Sequence, residues 1–278
     1  MTEADFLALL RPLATGDAAR GLLDDAAVLG DLVLTHDMLV EGVHFLPGDP
    51  PGDVAWKLLA VNLSDLAAKG ATPVGVLLGY ALSDTDWDAP FVAGLGEALA
   101  AFDVPLLGGD TVKGPRVLSL TAIGRAAVAP ARSGALADDG LWVTGTIGRA
   151  GLGLGGNTEH LDAYRRPMPR LVEGQALAPR VHAMMDVSDG LLIDAGRMAD
   201  ASGLALSIDL DTVPVAGDRM AAVTAGDDYE LLFAAPPGFM PPVAATRIGT
   251  FANGQGLTLH DTSGPVPLPA RLGYQHGQ

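Results

Sequence analysis

Between Asp53 and Gly70 the chain carries a helix with almost no face to give to water. Over residues 54–69, Ala55, Leu58, Leu59, Leu63, Leu66 and Ala67 cover most of the circumference. Only Asn62, Asp65 and Lys69, at i, i+3 and i+7, form a polar stripe. A helix apolar over so much of its girth is expected to be largely buried. The stripe then has two readings, a solvated face or a row of polar groups aimed at a site.

Around this helix, short apolar runs alternate with turns rich in Gly, Pro and Asp. Residues 1–20 read as a short helix and a polar connector, followed by strands Ala26–Leu29 and Leu32–His36. After the helix come strand Val74–Leu82, helix Pro90–Phe102 and a short strand Pro105–Leu107 that runs into Gly108-Gly109-Asp110. Val117–Arg125 alternates as a half-buried antiparallel strand does. Residues 126–140 mix small residues, a proline and a double aspartate, which predicts a boundary near residue 130. The second half gives strand Leu141–Thr144, a Gly-rich loop 145–156, helix Arg170–Leu177, strand Met184–Val187 and helix Leu191–Ala201. Strands Leu204–Leu210, Glu230–Ala234 and Arg247–Phe251 complete it. The expectation is a mixed α+β chain of two domains, 1–130 and 131–278, a length that supports two cores. The three tryptophans and eight methionines are expected inside them.

Charge narrows the function. A net charge of -16 argues against general nucleic-acid binding, which depends on basic surface. No apolar run approaches the roughly 20 residues of a membrane helix, and the N-terminus lacks the basic start and apolar core of a signal peptide. A cytoplasmic protein is expected. With no cysteine, disulfides, thiolate metal sites and cysteine nucleophiles are excluded. The 33 acidic residues divide into 27 Asp and 6 Glu, and the 17 basic ones include only three lysines, Lys57, Lys69 and Lys113. Asp favours turns and helix caps, which accounts for part of this bias.

Four places repeat one design, in which a short apolar strand lies beside an aspartate at a turn or helix start. They are Asp24-Asp25, Thr35-His36-Asp37, Gly108-Gly109-Asp110-Thr111 and Asp186-Val187-Ser188-Asp189-Gly190. Each alone reads more readily as a turn or an N-cap than as a metal ligand. Brought together, such carboxylates require cations, and oxygen-only ligands suit Mg²⁺ better than zinc. No G-x-x-x-x-G-K-[ST] loop is present, and Gly151-Leu-Gly153-Leu-Gly155-Gly156 has the wrong spacing for a dinucleotide fingerprint. Asp209-Leu-Asp211-Thr-Val213 matches a haloacid-dehalogenase-type nucleophile motif, yet no lysine follows Lys113 to complete that chemistry. It reads as a strand end and turn. If polyphosphate is handled here, aspartate-held metals must supply most of the positive charge, with arginines such as Arg132 in its Ala-Arg-Ser-Gly turn assisting.

Taken in order, the blocks Asp24-Asp25-Ala-Ala-Val-Leu, Thr35-His-Asp37-Met-Leu-Val-Glu-Gly-Val-His44-Phe, Ala60-Val-Asn62-Leu-Ser-Asp65-Leu-Ala-Ala and Gly108-Gly109-Asp110-Thr resemble the thiamine-monophosphate kinase family. So do Arg132-Ser-Gly, Arg166-Pro-Met-Pro-Arg170, Asp186-Val-Ser188-Asp189-Gly190-Leu, Gly226-Asp227-Asp228-Tyr-Glu-Leu and Gly273-Tyr274. The resemblance runs from residue 24 to residue 274. It implies a two-domain aminoimidazole ribonucleotide synthetase-like fold, shared with selenophosphate synthetase and a hydrogenase maturation factor. In that fold an N-terminal sheet or barrel forms a homodimer interface and a C-terminal α+β domain completes the nucleotide and substrate sites.

The implied reaction is direct phosphoryl transfer from ATP to thiamine monophosphate with several Mg²⁺ ions, giving thiamine diphosphate. By the resemblance, Asp25, Thr35, Asp37, Asp65, Asp110, Asp186 and Asp189 hold metals; Gly109, Asp110, Arg132 and Ser188 contact ATP; His44, Asp227 and Tyr274 line the substrate site. No residue is assigned as an acid or base, because the attacking phosphate, with a second pKa near 6, is largely ionised at neutral pH. The chain departs from the family at Leu23, where glycine is usual, at His36, where Ser or Thr is common, and at Asp227, where Glu is frequent. His160, His182, His260 and His276 carry no motif and are expected at the surface, and Phe102 offers a stacking face for adenine.

Overall fold

In the computed structural model, which describes residues 2–276, the apolar helix runs from Pro51 to Ala68 (α2) and follows a short first helix, α1 (Glu3–Leu10). Every residue from Val54 to Lys69 is buried except Asp65. One flank of α2 lies against a five-stranded sheet built from β1 (Ala27–Leu29), β2 (Leu32–Val40), β3 (Thr72–Leu82), β4 (Leu106–Lys113) and β5 (Val117–Arg125), in the order β1-β2-β5-β3-β4. All pairings are antiparallel except β3 with β4. The sheet is open, with β1 and β4 at its edges, so within this chain the sheet form is realised and a closed barrel is not. Helix α3 (Thr85–Ala101) packs on α2. Leu58, Leu59, Leu63, Leu66, Phe91, Leu118 and Leu120 lie in one core between them.

The second sheet has seven strands in the order β12-β11-β8-β10-β6-β9-β7. They are β6 (Gly140–Thr144), β7 (Ala183–Asp186), β8 (Leu204–Asp209), β9 (Leu231–Ala235), β10 (Ala245–Asn253), β11 (Gly256–Asp261) and β12 (Gly264–Val266). Five helices accompany it: α4 (Arg149–Leu154), α5 (Leu161–Arg165), α6 (Leu171–Leu177), α7 (Leu191–Ser202) and α8 (Arg219–Thr224). The other flank of α2 meets this unit. Ala67 and Ala68 share a core with Leu177, Ala178, Met184, Leu231 and Phe233. The approach of α6 to α2 is so close that a Cβ on Gly174 would stand 2.0 Å from the Ala67 carbonyl oxygen. The helix is therefore covered on both sides, and it is buried as its sequence leads one to expect.

Several elements differ from expectation. β2 continues to Val40 and β4 to Lys113, so Asp37, Gly109 and Asp110 lie inside strands rather than at their ends. Gly109 is glycine because β3 crowds it: a Cβ there would sit 1.9 Å from the Leu78 carbonyl oxygen. α3 starts five residues before Pro90, where Asp84 accepts the Trp87 N–H as an N-cap. The Gly-rich stretch contains α4, whose first amides are taken by the Asp228 carboxylate, at 2.7 Å for Gly148 N and 3.4 Å for Ala150 N. Trp56 and Trp87 are buried, Trp142 is half-buried and Met184, Met185 and Met198 lie in the core, but Met38, Met168 and Met240 are exposed. Among the described residues no helix is long and apolar enough to cross a membrane.

Candidate functional site

The buried face of α2 is where the separated aspartates meet. Asp25 arrives from the turn before β1, Asp65 from α2 and Asp186 from the end of β7, and one carboxylate oxygen of each lies within 4.8 Å of the others. Neighbouring hydroxyls aim at the same group. Thr35 on β2 donates to Asp65 and, at 3.3 Å, to the Asp25 carbonyl, while Ser64 donates to Asp186. Asn62 braces the cluster, donating to the Leu58 carbonyl at 2.9 Å and accepting the Asp37 N–H at 3.0 Å. The polar stripe of α2 thus faces a site rather than solvent.

Fixed cations reach only one side of it. The Lys69 ammonium, fully buried, lies 2.5 Å from Asp24 Oδ1 and 2.7 Å from Asp25 Oδ2, and donates to the Met184 carbonyl at 3.0 Å. Arg132 pairs with Asp25 Oδ1. Burial opposes ionisation of Asp25, but Lys69 and Arg132 outweigh it and hold its pKa at about 2. The other carboxylates lack such partners. Burial, reinforced by Asp25, pushes Asp186 up to about 8, although its Ser64 hydrogen bond pulls the other way. Burial also raises Asp65 well above the carboxylate range, with Asp37 and Asp186 adding to it, and lifts Asp37 to about 6.

Asp37, Asp65 and Asp186 open into a cleft of about 980 Å³, and Ser188 and Asp189 line the same cleft. So do His44, Asp227 and Tyr274. The His44 Nδ1 accepts the Val40 N–H at 3.0 Å, which leaves Nε2 as the protonated nitrogen of the neutral ring. Burial depresses its pKa, aided by nearby His276. Asp227 stands in a left-handed conformation, φ 68°, on a loop whose Asp227 and Tyr229 amides donate to the Ser188 and Val187 carbonyls, each at 2.8 Å. Its carboxylate accepts from Lys57 at 2.7 Å and from the Tyr229 hydroxyl at 3.0 Å. The Tyr274 amide donates to the Asp189 carbonyl at 2.9 Å, which fastens the C-terminal segment over the cleft.

The remaining candidates stand apart. Gly109 and Asp110 lie on β4, exposed along its whole length, and Asp110 accepts the Thr111 N–H at 2.9 Å. Asp110 is outside the close carboxylate group, and Arg132 reaches that group only through Asp25. Asp189 lines the cleft but is outside the close carboxylate group: it pairs with Arg197 at 2.5 Å, and Arg197 is held in turn by buried Asp194 at 2.8 Å. Phe102 packs against Trp56 with the rings tilted by 58° and their centroids 5.1 Å apart, and faces the N-terminal core instead of the cleft. His36 meets the Thr121 hydroxyl across β2 and β5 at 2.8 Å.

Sequence reasoning missed Lys57, Tyr229 and His276. Lys57 is buried on α2, donates to the His44 carbonyl at 3.0 Å and lies over the Tyr164 ring. Its rarity was a signal, being one of only three lysines on an otherwise apolar helix. His276, expected at a bland surface, lines the cleft, 5.3 Å from the His44 ring and 5.0 Å from that of Tyr274.

The donor set fits a hard divalent cation: three convergent carboxylates with adjacent hydroxyls, and neither thiolate nor imidazole in the group. Asp25 Oδ2 is buried and takes no hydrogen bond, although the Lys69 ammonium is close. Asp65 and Asp186 have no ion-pair partner among the described residues. Such a set can neutralise and align phosphate groups through a metal.

Comparison with known proteins identifies the family. Residues 23–126 match the family described as AIR synthase related protein, N-terminal domain, and residues 137–259 match its C-terminal domain. The chain is 41% identical to a thiamine-monophosphate kinase of Caulobacter vibrioides, over 99% of this chain and 91% of that protein. It is 39% identical to the thiamine-monophosphate kinase of Salmonella typhimurium, over 79% of this chain and 77% of that one. A structure described as AaThiL complexed with AMPPCP and TMP superposes with a TM-score of 0.90 at 26% identity, covering 99% of this chain and 97% of that one. The thiamine-monophosphate kinase of Stenotrophomonas maltophilia superposes with a TM-score of 0.77 at 36% identity, over 94% and 96% of the two chains. With both AIR synthase related domains in place and this identity along nearly its full length, the chain belongs to the thiamine-monophosphate kinase family.

Proposed function

We propose that this protein transfers the γ-phosphoryl group of ATP directly to the phosphate of thiamine monophosphate, forming ADP and thiamine diphosphate. One observation carries the reading: the carboxylates Asp37, Asp65 and Asp186 and the substrate candidates His44, Asp227 and Tyr274 line a single cleft. Its relatives bear the kinase name, and the related AaThiL complex is described with AMPPCP and TMP.

The chemistry asks for alignment and charge neutralisation rather than for a strong base. Mg²⁺, when bound, would supply that neutralisation, with Asp25, Asp65 and Asp186 as its central ligands and Thr35, Asp37, Asp110 and Asp189 contributing directly or through water. Residues 1–130 would carry most of the ATP–metal site and the dimer contact, and residues 131–278 would complete it. Gly109, Arg132 and Ser188 are assigned to ATP. His44, Asp227 and Tyr274 are assigned to thiamine monophosphate, with Asp227 fixed by Lys57 and Tyr229 so that its carboxylate faces the cleft. We also propose a homodimer that associates through the first sheet, whose β4 edge is open.

The decisive assay is ADP release with Mg²⁺ present. Release is expected only when thiamine monophosphate is added; release without it, or only with another acceptor, would refute the assignment. Asp65→Asn and Asp110→Asn are each expected to weaken Mg²⁺–ATP binding about tenfold or more with the circular-dichroism spectrum unchanged. Calorimetry checks this, and undiminished nucleotide affinity in both variants would withdraw the metal assignments.

A further inference from the structure

The acidic cluster is electrostatically lopsided. On one side, Lys69 lies against both Asp24 and Asp25, Arg20 pairs with Asp24 at 2.5 Å, and Arg132 pairs with Asp25. On the other side, among the described residues, Asp65 and Asp186 have only the Thr35 and Ser64 hydroxyls. Lys69 is fully buried, and its ammonium has three oxygen neighbours, from Asp24, Asp25 and the Met184 carbonyl. An ammonium held by three oxygens, two from the Asp24-Asp25 turn and one from β7, occupies the kind of position a metal ion takes in an oxygen cage.

We propose that Lys69 is a resident counter-ion that fills the cation position between Asp24 and Asp25 and confines metal uptake to the other side of Asp25, where it meets Asp65 and Asp186. Lys69 is in this sense a positioning residue: it fixes Asp25 and keeps the site folded before any metal arrives. The inference rests on the reading of the cluster as a Mg²⁺ site. A neutral side chain in its place leaves Asp24 and Asp25 short of one positive charge inside the protein, and a divalent ion then becomes the available substitute. Removal of the ammonium also lifts its repulsion of the metal at the neighbouring carboxylates.

Lys69→Met, close in length and uncharged, tests this in the full chain, with Mn²⁺ counted by electron paramagnetic resonance and melting followed in EDTA and in Mg²⁺. The variant is expected to bind one more Mn²⁺ per chain than the wild type. It should melt lower in EDTA, and its Mg²⁺-dependent rise in Tm should be at least about twice the wild-type rise. Unchanged stoichiometry with equal Mg²⁺ gains would overturn the inference and leave the metal site standing. Absence of Mn²⁺ binding in the wild type, with and without ATP, would instead remove the metal reading and this inference together. Should Lys69→Met fail to fold, anomalous scattering from a Mn²⁺-soaked wild-type crystal decides. Metal beside Asp65 and Asp186 with Lys69 in place supports the inference; metal between Asp24 and Asp25 with Lys69 displaced refutes it.

Discussion

Asp186 is buried beneath the cleft, close to other carboxylates and without a cation of its own, and so its pKa rises from 3.8 to about 8. A carboxyl whose folded-state pKa lies above its unfolded value favours the fold while protonated. Its contribution is complete below pH 3.8 and is lost as pH climbs through 8. Asp37, raised to about 6, acts in the same direction over a lower window, whereas Asp25, held at about 2, matters only in strong acid. In EDTA the melting temperature should therefore fall as pH rises from about 4 to about 8 and level off above that. Mg²⁺ should flatten that slope by stabilising the ionised carboxylates, and Asp186→Asn should flatten it without metal. Differential scanning fluorimetry across this range checks both expectations, and a metal-independent slope unaffected by Asp186→Asn would contradict the charge distribution. The residues behind this behaviour were legible unequally. Asp25, Asp65 and Asp186 stand in sequence patterns that can be read locally, but Lys57 acts on Asp227 across 170 positions, and no local pattern announces such a pair.

Among the elements, α2 was the most legible, because an apolar circumference admits only a buried helix. Its two ends and its function as a shared wall follow from packing. α4 was lost in a Gly-rich stretch because its N-terminus is held by Asp228 from another part of the chain, a tertiary support that propensity does not record. β2 and β4 outrun their sequence signals because aspartate and glycine resemble turn residues, yet here they continue a strand at a site. The contact that fixes α2 against the second sheet is Gly174 on α6, with no space for a side chain. Gly174→Ala gains about 1 kcal/mol of helix propensity. Overpacking against the Ala67 carbonyl costs about 1–3 kcal/mol, and the 2.0 Å approach to backbone places the change toward the upper end. A net destabilisation of about 1–2 kcal/mol is expected in urea unfolding. Displacement of α6 also disturbs the α2–β7 contact that sets Asp65 beside Asp186, so the Mg²⁺-dependent rise in Tm should shrink as well. A variant as stable as the wild type would mean that the helices separate freely.

At the scale of the whole molecule, the first sheet is an incomplete surface. β4 pairs only with β3, all eight of its residues are exposed, and Leu106, Leu107 and Val112 lie on it beside exposed Leu77 and Leu82 of β3. An open edge with exposed aliphatic side chains invites association, and a second copy of the chain is the partner we propose. Two copies each carrying a net charge of -16 repel one another, so apolar contact must overcome a Coulomb penalty that salt screens. Association should therefore tighten as salt is raised, the opposite of a contact held by ion pairs. Replacing Leu107 and Val112 together by aspartate adds charge and removes apolar area at the same edge, and is expected to shift the protein to monomer without unfolding the second sheet. Sedimentation velocity at low and high salt, for wild type and double variant, measures both effects. Because Gly109 and Asp110 share this strand, the monomeric variant should also bind Mg²⁺–ATP more weakly. A wild type monomeric at micromolar concentration, or a dimer that loosens with salt, would show that β4 is not the contact surface.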